Sequence, residues 1–161
     1  MSAVEDLEII AQQEALLRFP SFNAESAWQL GGLLRTMLLE RNAGGTVEIE
    51  LAGQVLFACT TPGASPGQAN WVRRKRNTVR AFTKSSYAVG LTLERDGDTL
   101  PVRQGLAIAD YATFGGGFPL HVAGMGCIGS SVVSGLPQRD DHEIVVTAIA
   151  QMLGVIPPPL P

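Results

Sequence analysis

The sequence predicts an α+β domain in which helices pack against an antiparallel sheet. Three observations lead there: apolar residues at helical spacing at both ends of the chain, two alternating runs that turn back at glycines, and a length of 161 residues that suits one core. The expected order is helix, helix, strand, strand, helix, an ambiguous segment, strand, strand, helix. One domain over residues 1–154 is expected, followed by a Pro-rich tail at 155–161.

Val4, Leu7, Ile10, Ala11, Ala15 and Leu17 fall near helical spacing between Val4 and Arg18, and Phe19-Pro20 stops the run because proline disfavours helix in the residue before it. Asn23, followed by Glu25 and Ser26, reads as the cap of a second helix with Trp28, Leu30, Leu33, Leu34, Met37 and Leu38 on its apolar face. Gly44-Gly45 ends it. Val47, Ile49 and Leu51 alternate with Glu48 and Glu50, and Val55, Phe57 and Cys59 with Leu56 and Ala58, so a hairpin turns around Gly53. A loop from Pro62 to Gly67 leads to a third helix, with Trp71, Val72, Val79 and Phe82 on one face and Arg73, Arg76, Arg80 and Lys84 largely on another.

Residues 85–95 fit two patterns: Tyr87, Val89, Leu91 and Leu93 alternate as in a strand, while Ser85 or Ser86 suits the cap of a short helix. Asp96 to Gln104 reads as an exposed turn, and Gly105 to Tyr111 as a helix or an irregular connection. A second hairpin runs from Phe118 to Val122 and from Met125 to Ser134, turning near Gly124, with β-branched residues that suit central strands. The last helix opens at Asp140-Asp141-His142-Glu143, where acids suit the positive helix start, and ends at Gly154.

The net charge of −3 conceals a separation: six of the twelve Lys and Arg lie between Arg73 and Lys84 with no acid among them, which leaves the rest of the chain near −9. That basic helix either faces solvent or meets an anionic ligand or the acidic parts of another copy. Nucleic acid is disfavoured, because aromatic residues for base stacking are missing beyond Trp71 and Phe82. No window suits a membrane-spanning helix, and Glu5, Asp6, Glu8 and Glu14 stand where a signal peptide needs basic then apolar residues, so a cytoplasmic protein is expected. Cys59 and Cys127, 68 positions apart, read as reduced core residues.

Gly115-Gly116-Gly117-Phe118-Pro119 gives the backbone room either for a tight turn or for close approach to a ligand, but it lacks a P-loop lysine. Ser134 and Gly135, at the end of a strand, lead directly to Asp141 and His142 at the start of a helix. Gly-x-Ser-x-Gly is absent, which argues against a serine triad. Asp140 or Asp141 serves equally as a helix cap. His121 and His142 belong to no spaced metal motif, and no metal site is expected; His142 is the one candidate haem ligand, with propionates reaching the basic helix.

Three ordered motifs carry a family resemblance: Trp71-Val72-Arg73-Arg74-Lys75-Arg76-Asn77, Gly115-Gly116-Gly117-Phe118-Pro119-Leu120, and Val132-Val133-Ser134-Gly135-Leu136-Pro137-Gln138 with Asp140-Asp141-His142. Together they resemble the haem-degrading-domain (GlcG-like) superfamily, in the branch labelled an uncharacterised protein family. The resemblance implies a profilin-like three-layer α/β/α fold on a roughly five-stranded antiparallel sheet, a helix at residues 85–95, and large oligomers. Residues matching its motifs are Trp71, Lys75 and Arg76, then Gly115, Gly116, Phe118 and Pro119, then Ser134, Gly135, Asp141 and His142. Relatives carry a histidine before the paired glycines where this chain has Phe114, so no imidazole role transfers to that position.

The leading expectation is an oligomeric binding protein for a small anionic or haem-like ligand, seated between the Gly115 loop, the Ser134-Gly135 corner and the basic helix. A second is an assembly protein without catalytic activity, joined through its first helix, Trp28 and its tail. The third is an enzyme with Asp141 or His142 as acid or base and Arg76 as anion clamp.

Overall fold

The computed structural model describes residues 2–161. Helix α1 (Ala3–Leu16) is followed by strand β1 (Arg18–Phe19), helix α2 (Ala24–Glu40), strands β2 (Thr46–Leu51) and β3 (Gln54–Thr60), and helix α3 (Gly67–Phe82). Helices α4 (Ser86–Asp96) and α5 (Leu100–Gln104), strands β4 (Gly117–Val122) and β5 (Gly126–Ser134), and helix α6 (Gln138–Leu153) complete the chain. The strands form one five-stranded sheet in the order β1-β4-β5-β2-β3. The neighbours β4–β5, β5–β2 and β2–β3 are antiparallel, and β1 joins β4 in parallel, so the sheet is mixed.

The fifth strand is the stretch that helical spacing assigned to the end of the first helix. Pro20 holds Phe19 extended, and Arg18 and Phe19 pair with His121 and Val122. Serine and asparagine caps start α1 and α2 as their residue types dictate: Ser2 with Glu5, and Asn23 with Ser26, each form a reciprocal capping box.

Alternation in β2 sends Val47 and Ile49 into a core with Leu30, Leu34 and Leu38 of α2 and Ile144, Val145 and Ile149 of α6. The opposite face carries Glu48 and Glu50, which the sequence presents as a solvent face. It is covered instead by α3: Arg76 lies 2.8 Å from Glu48, and Arg80 lies 2.7 Å from Glu50. The sheet is thus buried on both sides, as a three-layer fold requires.

Residues 85–95 form helix α4, capped by the Ser85 side chain on the Ala88 N–H. Its alternation has a packing cause. Tyr87, Ala88 and Leu91 meet Ile10 of α1, while Val89 and Leu93 meet Leu100 on the other side, so apolar residues are needed around two faces. Leu100 also corrects the reading of Asp96 to Gln104 as an exposed turn: the segment contains α5 and buries Leu100 to 2% exposure. Residues 105–111 are turns and irregular chain.

The tail lies against its own chain. Leu160 packs with Ile10 and Tyr87, Gln13 Nε2 donates to the Pro158 carbonyl at 2.9 Å, and Arg139 donates to the Pro161 carbonyl. Leu100→Ala is expected to lower unfolding free energy by about 2–4 kcal/mol through the cavity it opens, measured by urea denaturation. An exposed turn residue would cost almost nothing.

Candidate functional site

Gly116 determines the local geometry. Its φ of +128° is closed to other residues, and a Cβ there would strike the Val133 carbonyl and come within 2.8 Å of Lys75 Nζ. This close approach lets β4 begin directly over a buried ion pair. Lys75 of α3 reaches through to Asp141 of α6, Nζ to Oδ2 3.0 Å, and also donates to the Val133 carbonyl at 3.0 Å. Asp141 accepts two further bonds from the corner after β5, at 2.9 Å from the Leu136 N–H and at 3.3 Å from the Gly135 N–H. The pair is 3% and 2% exposed, so α3, β5, the corner and α6 are tied through two charges withdrawn from water. Burial pushes the Lys75 amine below its ordinary value against the pull of Asp141, and pushes the Asp141 carboxyl up against Lys75 and the two N–H groups.

Above this pair lies a cavity of about 440 Å³. Trp71 and Phe114 line one side, perpendicular to each other with ring centroids 5.4 Å apart, and Ser134, Gly135 and Leu136 line another. Gln68 and Gln138, from the first turns of α3 and α6, complete the lining. Gln138 Oε1 accepts from the Gly115 N–H at 3.1 Å, and Ser86 Oγ accepts from the Gly117 N–H at 2.9 Å while donating to the Phe114 carbonyl, so the glycine loop is held from both sides.

Of the residues the motifs single out, Trp71, Lys75, Ser134, Gly135 and Asp141 line this cavity. Gly115 and Gly116 form the backbone beside it. Phe118 points into the core on the far side of the sheet, and Pro119 lies along β4 opposite Ser130. Arg76 turns away onto Glu48 and does not line the cavity. Two further arginines of the basic helix are engaged within the chain: Arg73 pairs with Asp110 at 3.1 Å, and Arg74 lies over Trp71 at 4.5 Å while bonding the Ile108 carbonyl. Gln68 escaped the sequence reading, while Phe114, Leu136 and Gln138 were noted there without being named as site residues. The available signals were the departure at Phe114 and two helices opening after Pro66 and Pro137 without side-chain caps.

His142 is placed away from the cavity and does not share its lining. It is 1% exposed, its Nε2 lies 2.9 Å from Gln13 Oε1, and its ring packs between Tyr87 and Phe118. Burial, with a contribution from Arg139, lowers its pKa to about 3. His121 sits further along β4 opposite Cys127, with burial and then Arg18 pushing its pKa down. Among the described residues no cluster of three or more His, Cys, Asp or Glu has the arrangement of a metal site, and no helix is long and apolar enough to cross a membrane.

Comparison with known proteins agrees with this architecture. The family described as haem degrading protein HbpS-like matches residues 22–150. A UPF0303 protein of Azotobacter vinelandii is 52% identical over 95% of this chain and 92% of its own, and one from Serratia proteamaculans is 46% identical over 96% of each. Among solved structures, Ybr137w superposes with a TM-score of 0.85 at 24% identity, over 92% of this chain and 87% of its own. The PduOC:heme complex superposes with a TM-score of 0.67 at 25% identity, over 82% and 94%.

Two measurements check the site. Lys75→Met or Asp141→Asn alone is expected to cost about 3–5 kcal/mol, with a double variant costing clearly less than the sum, because each single change strands a buried charge. His142 has the opposite kind of linkage. Its folded pKa of about 3 lies below the ordinary 6.5, so the unfolded chain binds the proton first and stability falls as pH drops from 6.5 towards 3. His142→Gln should flatten that slope, by at most about 1.4 kcal/mol per pH unit, in urea titrations across the interval.

Proposed function

The chain belongs to the HbpS-like haem-degrading family, and from that premise we propose that it binds a small ligand in the cavity between Trp71, Phe114 and the Ser134–Leu136 corner. The observation that carries this reading is the cavity itself, preformed over the buried Lys75–Asp141 pair and within the size range of small-molecule sites. The free thiols of Cys59 and Cys127 suit a cytoplasmic protein.

Haem is the first group to test against the residues, given the family description and the PduOC:heme complex. The cavity lining contains no histidine, cysteine, methionine or tyrosine to ligate iron, and His142 is enclosed on the other side of Asp141 with its Nε2 bonded to Gln13. With Lys75 held by Asp141, the residues of this cavity do not fit an iron-ligating haem site.

Binding is checked by native mass spectrometry of protein purified from its own host. A retained small molecule is expected in the wild type and should be lost in Phe114→Asp, which keeps the core intact. Absence of any retained mass, with no movement of the Gly135 and Leu136 amide signals on adding a fragment mixture, would contradict the proposal.

An assembly role is the second reading, and a separate surface supports it. Trp28 is 69% exposed and meets Phe57 edge-on beside β3, an unpaired edge strand that invites another chain. Contacts through α1 and the tail receive no such support, since both are engaged within their own chain. Light scattering should report a homo-oligomer that Trp28→Lys weakens; a monomer at all concentrations would exclude it.

A further inference from the structure

The cavity carries more information about its ligand than its existence alone. Lys75 and Asp141 are the only charged side chains in its lining among the described residues, and they neutralise each other at 3.0 Å. Their hydrogen bonds to Val133, Gly135 and Leu136 further engage the pair. Of the neighbouring arginines of α3, Arg73 pairs with Asp110 and Arg76 with Glu48, while Arg74 bonds the Ile108 carbonyl and lies over the Trp71 ring without a carboxylate partner, outside the cavity lining. A carboxylate or phosphate entering here would lose water without meeting a free counter-charge in the lining itself, which is costly.

What the lining does offer is neutral and flat. Phe114 is 46% exposed and presents its ring to the cavity. Trp71 stands at 88° to it, so the two rings form a corner in which a planar molecule can stack on one and meet the other at its edge. Gln138 has its oxygen engaged by Gly115, which leaves its amide N–H groups as donors, and Ser134 adds a hydroxyl. The volume of about 440 Å³ lies in the lower part of the usual range for ligand sites.

Resting on the binding reading above, we infer that the ligand is a compact, uncharged, planar molecule with hydrogen-bond acceptors on its edge, such as a heteroaromatic amide, and not haem. The test uses a pair of molecules differing in charge on one ring, nicotinamide and its carboxylate counterpart nicotinate, with hemin as a third titrant. The chain has two tryptophans, so Trp28→Phe leaves Trp71 as the single indole reporter. Nicotinamide is expected to change Trp71 emission saturably, to move the Gly135 and Leu136 amide signals, and to bind roughly tenfold or more tightly than nicotinate. Phe114→Ala should weaken nicotinamide binding through the lost stacking surface, and hemin should give no low-spin, six-coordinate Soret spectrum.

Nicotinate binding as tightly as nicotinamide, or a low-spin hemin spectrum, overturns the inference. If nicotinate or hemin moves the Gly135 and Leu136 signals and nicotinamide does not, the ligand class is wrong while the cavity remains a binding site. If nicotinamide, nicotinate, hemin and the fragment mixture all leave those signals unmoved, the inference and the binding reading fail together.

Discussion

Two charges buried beneath the glycine loop hold the site in shape. Placing an ammonium and a carboxylate out of water costs several kcal/mol per ion, and their attraction offsets this only when geometry is good and the remaining donors and acceptors are satisfied. Here the Lys75 amine has two oxygen partners and the Asp141 carboxylate has three donors, drawn from α3 and from the corner that leads into α6. Gly116 must lack a side chain for β4 to pass over the pair. The cavity wall is a consequence: remove the pair, and Gly135, Leu136 and Gln138 lose the anchor that fixes them opposite Trp71.

The same economy of charge governs the rest of α3. A cluster of six basic residues beside an acid-rich remainder suggests an external anionic partner when read along the chain. Folding brings Glu48 and Glu50, with Asp110 and Asp141, to those side chains, and most of the separation is cancelled internally. The helix therefore covers a sheet face and leaves little free positive charge at the cavity. Membership of a family described by haem degradation does not override this, because a fold can be kept while the groups that meet a ligand change.

Much of the architecture was legible in residue order. The cap at Asn23, the hairpin glycines, and the apolar faces of α2 and α6 are local signals, and they place their elements within a few residues. Elements fixed by distant contacts were not legible. The two-residue β1 exists because β4 offers a parallel edge, and α4 looks strand-like because it is clamped between Ile10 and Leu100. At the site, the motifs named both members of the ion pair and the corner, since glycines and charges in ordered motifs stand out. They also named Arg76, Phe118 and His142, whose side chains turn elsewhere, because the direction of a side chain depends on register and packing that the order of residues does not display.

The Lys75–Asp141 pair holds the corner that shapes the cavity, beyond adding to overall stability. Amide hydrogen exchange in Lys75→Met tests it most directly, compared with a core variant such as Leu30→Ala brought to equal stability by adjusting temperature. Selective loss of protection at Gly135 and Leu136, whose N–H groups bond Asp141, is the predicted result. Equal loss of protection across the chain in both variants would contradict the account.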